Sequence, residues 1–503
     1  MRGKGRIMAL ALALVSALTV LLIASTSSPL YATNFWTDTN IYFTIGRGMT
    51  QGLKPYTDLF DHKGPLLYMI YALGALVSDA SFIGVFLLEV VSLAATLMLA
   101  YETVCLFGRG PLCLLAIPVT AVVTATCTAF NQGGSAEEFV LPALALALYT
   151  VLRRFVEGRE CACPARLYAL LGAAMGWVFA IKYTDCGLFF GLALAALLYD
   201  WRIRGFFTAF RAGLWCLAGM MLVVLPVALF LAWGGALAAC LEVYFYENMF
   251  LYAGEPMSLT AHLYNALAYL RTQSMANPVV AAMGVVGCAG VAVRAVVRRR
   301  TGFLLEAASI PLGAGLLLLF VYWGEMAHPY YALVFAALSP LALCPLGWLA
   351  SHARSRAWGL APLAALALCV PLCMKFCAAV PMMDVQRASM PQTRLAQIVR
   401  AEENATLLDW TSLDQGFYLA AGVTPTCRYF VNNNLNTEDK RRAYEAAVAS
   451  GEVDFVVLNA WQEAPTPQYE RVATADGVFD LNSPRSYALY RYVGEEQHGG
   501  HTD

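Results

Sequence analysis

The densest group of reactive side chains lies in Asn34–Tyr71, NFWTDTNIYFTIGRGMTQGLKPYTDLFDHKGPLLYMIY, where Asp38, Arg47, Lys54, His62 and Lys63 are interleaved with aromatic residues. A lone carboxylate such as Asp38 can take a proton from an attacking hydroxyl or amine, and nearby cations can stabilise a departing oxyanion. Further along, Gly133-Gly134-Ser135-Ala136-Glu137-Glu138 sets two acids at the head of an apolar run. The stretch Trp323–Tyr331, WGEMAHPYY, carries His328 and Tyr331, and both imidazole and phenol can donate to phosphate oxygens. Lys182 and Asp185 make a fourth group between two short apolar stretches. Each has a plainer explanation. Arg47, Lys54 and Lys63 can snorkel to lipid phosphates, one of Glu137 and Glu138 can serve a helix N-terminus, Lys182 can neutralise Asp185, and His328 can sit in an interfacial aromatic belt.

The elements that must hold these groups are set by composition. Of 503 residues 59% are apolar and 13% charged, about half the charged share of an ordinary soluble domain, so most of the chain belongs in lipid. Basic residues (33) and acids (34) balance, which gives no reason to expect nucleic acid as a partner. The 14 cysteines are scattered through apolar runs, and Cys427 is the lone one in the polar C-terminal region, so disulfides are not the scaffold. Cys161 and Cys163 have no histidine or second cysteine pair nearby and are expected to be loop thiols, not metal ligands.

Apolar stretches long enough for a bilayer crossing, about 20 helical residues, run over 7–31, 82–106, 111–130, 212–233, 277–297, 303–322, 330–350 and 358–381. Shorter candidates are 137–152, 167–181 and 185–200. This predicts a mainly α, polytopic transmembrane helical bundle of about eleven spans (range ten to thirteen). Lys and Arg favour the cytoplasmic side, and the basic loops at Arg153–Arg166, Arg202–Arg211, Arg294–Arg300 and Arg354–Arg356 are all accommodated if Pro65–Val77 is re-entrant or interfacial, not a crossing. The N-terminus is then cytoplasmic, the chain is multi-pass in the cytoplasmic membrane, and the segments bearing Asp38, Lys63, Glu137 and His328 face outward. Residues 39–50 place Ile41, Ile45 and Met49 on one face, as expected of a juxtamembrane helix lying on the membrane surface.

The division predicted is a transmembrane domain over 1–381 and a soluble extracytoplasmic domain over 382–503. In the latter, helix patterns at 392–403 and 437–450 alternate with strand-like runs at Thr406–Trp410, Asp454–Asn459 and Tyr487–Tyr492, the rhythm of a small α/β layer. Asp409 and Asp414 follow the first strand and are expected in turn and capping roles.

An outward acid just after the first span, a juxtamembrane helix, and the Lys63-Gly64-Pro65 step opening an apolar helix resemble the polytopic C-type (GT-C) glycosyltransferases. The likeness is strongest to the bacterial branch of protein mannosyltransferase-like and aminoarabinose transferase-like enzymes, and covers roughly residues 1–380. Glu137-Glu138 and the His328/Tyr331 loop match acidic and His/Tyr outer loops of that superfamily. The resemblance implies transfer of a sugar from a polyprenyl-phosphate donor to a glycan, lipid or protein acceptor in the cell envelope, with Asp38 as general base. It implies His62, Lys63, Arg47, Lys182, His328 and Tyr331 as donor-phosphate or substrate contacts, and Glu137 and Glu138 as a second acidic site. Many relatives carry paired acids in the first loop, whereas Asp38 is followed by Thr39. A divalent cation is therefore a candidate cofactor only if Asp38 joins Glu137 or Glu138. A transporter or flippase of lipid-linked glycans, or a non-catalytic assembly subunit, would share the many spans.

Overall fold

A computed structural model describes residues 2–494 except 159–163, 253–256, 325–326, 353–358, 434, 436 and 481–482. Cys161 and Cys163, Glu325 of the Trp323–Tyr331 stretch and the basic residues Arg354 and Arg356 lie outside the described residues.

The helices are α1 (Arg2–Ala24), α2 (Thr37–Thr50), α3 (Pro65–Val77), α4 (Ile83–Cys105), α5 (Ala116–Thr126), α6 (Ala136–Glu157), α7 (Pro164–Ile181), α8 (Gly187–Arg204) and α9 (Phe206–Trp233). A short α10 (Leu237–Cys240) and a π-helical stretch Leu241–Tyr252 lead to α11 (Leu259–Ala276), α12 (Pro278–Arg298) and α13 (Phe303–Val321). A 3-10 segment Pro329–Leu343 runs into α14 (Cys344–His352), and α15 (Ala361–Phe376) closes the apolar part. Among the described residues nine helical segments are long and apolar enough to cross a membrane, and Pro65–Val77, Pro111–Thr126 and Ala361–Phe376 are shorter apolar helices. The chain is a multi-pass membrane protein. With Pro111–Thr126 and Ala361–Phe376 added and the 13-residue α3 left aside, the apolar helical segments number eleven among the described residues.

Burial sorts these helices. Within its most apolar window α6 is 72% buried, whereas α9 and α12 are 17% and 22% buried, so α6 is the axis of the bundle and α9 and α12 are its lipid-facing wall. The central helix therefore carries Glu137 and Glu138 in its first turn.

Two sequence expectations need correction. The first span ends at Ala24, not near residue 31. Hydroxyls end it: Ser25 Oγ donates to Glu89 at 3.0 Å, and Thr26 donates both N–H and Oγ1 to the Gln132 carbonyl, which turns the chain back toward α4 and α6. The second correction concerns the polar face of α2, which is not left exposed as on a helix lying free on a surface. Thr39 to Gly48 are buried without a break, on the polar as well as the apolar face.

α2 is covered by α3, whose Tyr68 and Tyr71 rings lie 6.5 and 5.5 Å from that of Tyr42, and by the C-terminal α/β unit. Strands β1 (Leu407–Asp409), β2 (Phe455–Asn459), β3 (Tyr469–Asp480) and β4 (Ser483–Tyr492) form one sheet in the order β1-β2-β4-β3. β1 pairs parallel with β2, and the other contacts are antiparallel. Along β2 successive side chains face opposite ways. Phe455 and Val457 join the apolar core that continues into the membrane helices, while Val456 and Leu458 pack with Ala447 and Val448 of α16 (Glu438–Ala449). Burial on both faces explains why β2 reads as an unbroken apolar run.

Candidate active site

Asp38 stands in the first turn of α2, where a negative charge is favoured by the helix dipole. Its Oδ2 accepts a hydrogen bond from the Tyr330 hydroxyl at 2.8 Å, and the Tyr42 hydroxyl lies 3.5 Å away. Tyr330 is itself held edge-on against Trp36, with ring centroids 4.7 Å apart. The carboxylate is thus oriented by a phenol from a segment nearly three hundred residues downstream.

Lys63 is positioned through its backbone. Its N–H donates to the Tyr68 hydroxyl at 2.9 Å, and its carbonyl accepts from the Tyr56 hydroxyl at 2.8 Å. Tyr68 in turn donates to Asp61 at 2.7 Å. The next residue must be glycine: a Cβ on Gly64 would meet the Ala180 carbonyl oxygen at 2.3 Å, because Gly64 N–H bonds Ile181 O at the end of α7. This close approach sets Lys63 beside Lys182. Among the described residues the Lys63 ammonium has no hydrogen bond or ion pair of its own. Burial opposes its charge, but Tyr331, Asp38, Tyr252 and Asp61 outweigh burial and raise its pKa, so it stays an ammonium.

Lys182 forms an ion pair with Glu137, and its Nζ lies 3.4 Å from the centroid of the Tyr331 ring. The adjacent tyrosines Tyr330 and Tyr331 therefore bind different partners, the first touching the carboxylate and the second a lysine. His328 stacks on Tyr330 at 5.4 Å, and its Nε2 is 3.5 Å from the Tyr252 hydroxyl. His62 is buried and stacks on Tyr252 at 4.6 Å. Its Nδ1 is 3.6 Å from Asp61, too far for a hydrogen bond, and neither ring nitrogen has a hydrogen-bond partner among the described residues. Buried polar atoms left unsatisfied are uncommon, and here they border the lysine and the carboxylate.

Burial, with help from Lys63, pushes the His62 pKa down to about 3. A lowered imidazole pKa means the neutral ring persists until the pH falls through about 3, so His62 gains no proton between pH 8 and 5. The expected result is that His62→Gln changes the rate of any reaction at this site without moving the midpoint of the acid limb of its pH–rate profile. A midpoint displaced by one unit would show that His62 titrates.

Not every expected residue comes to this place. Arg47, near the far end of α2, points the other way and donates to the Val423 carbonyl of the C-terminal unit. Glu138 also leaves, because adjacent helical residues face about 100° apart. It completes a capping box with Ser135, accepting from Ser135 N at 3.0 Å while Ser135 Oγ accepts from Glu138 N at 3.1 Å, and it neighbours Glu89. Among the described residues no group of three His, Cys, Asp or Glu is arranged to hold a metal. Glu137 is engaged by Lys182 and Asp38 by Tyr330, so these residues do not fit the cation set that Asp38 with Glu137 or Glu138 would have made.

Several residues escaped the sequence reading. Asp61, Tyr68, Tyr252 and Tyr330 became visible only through folding, although Tyr330 stands beside a residue already singled out. Asp185 Oδ2, Glu137 Oε2 and the Tyr322 hydroxyl are further buried polar atoms with no partner among the described residues, near Lys182. Asp409 takes its expected turn role, accepting from Thr411 and Gln415 N–H groups. Asp414 does more: besides Gly416 N–H it accepts from the Thr44 hydroxyl of α2 at 2.6 Å.

That bond belongs to a clamp. Thr424 bonds Gln51 at 2.6 Å, Phe60 N–H donates to Arg428 O at 2.9 Å, and Arg428 Nε donates to Tyr56 O at 2.9 Å. The C-terminal unit thus grips both the helix bearing Asp38 and the loop leading to Lys63. Burial, opposed by the Thr44 hydroxyl, the Gly416 N–H and Arg47, raises Asp414 to about 6. Above that pH the buried carboxylate is charged and depends most on its donors. Thr44→Val is expected to cost about 1–3 kcal/mol of stability. Because losing a donor raises the folded pKa further, the cost grows as pH rises through 6 and shrinks at pH 5. Chemical denaturation at pH 5 and 8 would show it, and an equal cost at both would contradict a charged Asp414.

The sequence matches no protein-family model and no curated protein. The fold does match solved structures. The crystal structure of ArnT from Cupriavidus metallidurans bound to undecaprenyl phosphate superposes with a TM-score of 0.58, 13% identity, and coverage of 96% of this chain and 97% of that one. The apo form of the same protein gives 0.57 and 13%, over 97% and 98%. The chain shares the fold of ArnT. Coverage at both ends means that the C-terminal α/β unit, and not the bundle alone, is part of the match.

Proposed function

We propose that this GT-C chain is a membrane glycosyltransferase that moves a sugar from a polyprenyl-phosphate donor to an acceptor outside the cytoplasmic membrane. The observation that carries the reading is the pairing through Tyr330 and Tyr331: a carboxylate fixed by the first, and beside the second an ammonium, Lys63, with no protein partner among the described residues. Transfer of a sugar off a phosphate needs those two groups within one substrate's reach.

In this reading Asp38 accepts the proton of the acceptor hydroxyl or amine. The acceptor's electron pair forms the new bond to the anomeric carbon as the bond from that carbon to the phosphate oxygen breaks. The leaving electron pair stays on the phosphate, where Lys63 balances its charge and neutral His62 and His328 donate hydrogen bonds. Tyr330 aims the carboxylate. Lys182, held by Glu137, borders the same space through Tyr331 and adds to the positive potential. The ArnT crystal structure with undecaprenyl phosphate supports a polyprenyl phosphate as the lipid partner.

The orientation follows from the basic loops: the ends of α6, α8 and α12 bearing Arg153, Arg202 and Arg298 face the cytoplasm with the N-terminus, and residues 382–503 form an extracytoplasmic domain capping the site. Incubating purified protein with labelled polyprenyl monophosphate and diphosphate sugars plus envelope glycan, lipid and protein acceptors tests the reading. Label covalently joined to an acceptor is the expected result. Lipid-linked sugar that only changes leaflet would instead identify a transporter, and inert substrate an assembly subunit. A parallel arm with EDTA reports on the cation, and an unchanged rate is expected from the donor set.

A further inference from the structure

At the end of the bundle opposite Asp38, a cavity of about 350 Å³ opens between α4, α12 and the Pro329–Leu343 segment with α14. Its walls are apolar, including Leu106, Phe107, Val291, Leu341 and Trp348, and its rim carries Arg294 and Arg298. The two arginines are four residues apart on α12, so they share a face. Arg294 is committed: it pairs with Glu306, and its guanidinium lies 5.0 Å over the Phe107 ring. Arg298 is exposed and has no acidic partner within the described residues. Arg300 reaches the carbonyl of Val156, another rim residue, at 3.4 Å. Glu306 is thus the one acid facing this rim among the described residues, and Arg294 already neutralises it.

We infer that this cavity binds one anionic phospholipid of the adjoining leaflet, with its phosphate on Arg298 and an acyl chain along the apolar wall. Two properties point to a lipid. The cavity opens from α12, a helix whose surface faces the bilayer, so hydrocarbon is what its walls meet. Its polar end carries surplus positive charge at headgroup depth, and basic pockets between membrane helices at the cytoplasmic side favour anionic headgroups. Open space at Gly290 completes the groove: a Cβ there would meet nothing within 4 Å, although Gly290 lines the cavity. Nothing in this inference depends on the chemistry proposed at the other end.

The test uses full-length protein purified in micelles containing phosphatidylglycerol and phosphatidylcholine, with retained lipid counted by native mass spectrometry. Wild type is expected to keep one phosphatidylglycerol in preference to phosphatidylcholine. Arg298→Gln should lower that retention about fivefold. Gly290→Leu should lower it similarly by filling the groove, while Arg211→Gln, an exposed arginine on α9, should leave it unchanged. Thermal midpoints in phosphatidylcholine alone identify a variant that has lost its fold, and the other variant then decides. Equal retention of the two lipids by wild type, or equal losses from Arg211→Gln and Arg298→Gln, would mean general attraction of the surface and would overturn the inference.

Discussion

Asp38→Asn should abolish transfer while leaving the protein folded and in the membrane. Asparagine keeps the side chain's shape and can still meet the Tyr330 hydroxyl, which lies 2.8 Å from Asp38 Oδ2, so the packing around Trp36 and Tyr330 survives. What is lost is the group that accepts a proton. General-base catalysis is worth about 10²–10⁴-fold in rate, so turnover should fall by at least that much with little change in donor affinity. Single-turnover rates with labelled donor, with binding of sugar-free polyprenyl phosphate as a control, separate the two effects. Tyr330→Phe offers a graded comparison. It keeps the ring and removes only the aiming hydrogen bond, so its loss should be smaller, about tenfold. Undiminished turnover in Asp38→Asn would take this carboxylate out of the chemistry.

Lys63→Gln should act mainly on the lipid phosphate. The ammonium has no protein partner of its own among the described residues, so removing it leaves no buried acid stranded beyond Asp61, which Tyr68 already serves. A charge-assisted hydrogen bond to an ionised group contributes about 1.5–3 kcal/mol, which corresponds to a loss of about 10–150-fold in affinity for polyprenyl phosphate. Because the phosphate gains charge as the sugar departs, turnover should fall as well, and further than affinity. Lys182→Met should do less to affinity, since that lysine is already spent on Glu137, but more to stability by leaving Glu137 buried without its cation. Titration of detergent-purified variants with sugar-free polyprenyl phosphate measures the first effect. Equal affinities in wild type and Lys63→Gln would assign the phosphate to other residues.

Local signals were legible in the sequence wherever one element decides the outcome. Pro65–Val77 stood out because Gly64-Pro65 starts it and 13 apolar residues cannot cross a bilayer, and the helix has those bounds. The parallel pair β1 and β2 was readable as two short apolar runs. What stayed hidden depends on contacts across the chain. The direction of Arg47 is set by Val423, some 376 residues away, and the buried polar face of α2 makes sense only once Asp414 arrives to meet Thr44. The division of labour between Glu137 and Glu138 needed Lys182 and Glu89 in place. Tyr330 and Tyr331 lie in a 3-10 segment, and no helical or strand period says which of two adjacent rings faces an acid. Strand β3 was missed because its alternation is interrupted, with register shifts between Arg471 and Ala473 and between Val478 and Asp480.

Proteoliposomes bearing labelled polyprenyl-phosphate sugar in the leaflet that faces the C-terminal unit, supplied with acceptor on that side, would separate the readings most directly. Release of sugar-free polyprenyl phosphate in step with labelling of the acceptor, abolished by Asp38→Asn, is the outcome expected of a carboxylate and an ammonium converging on one donor. Intact donor recovered from the opposite leaflet, with the glycosidic bond to phosphate unbroken, would contradict it.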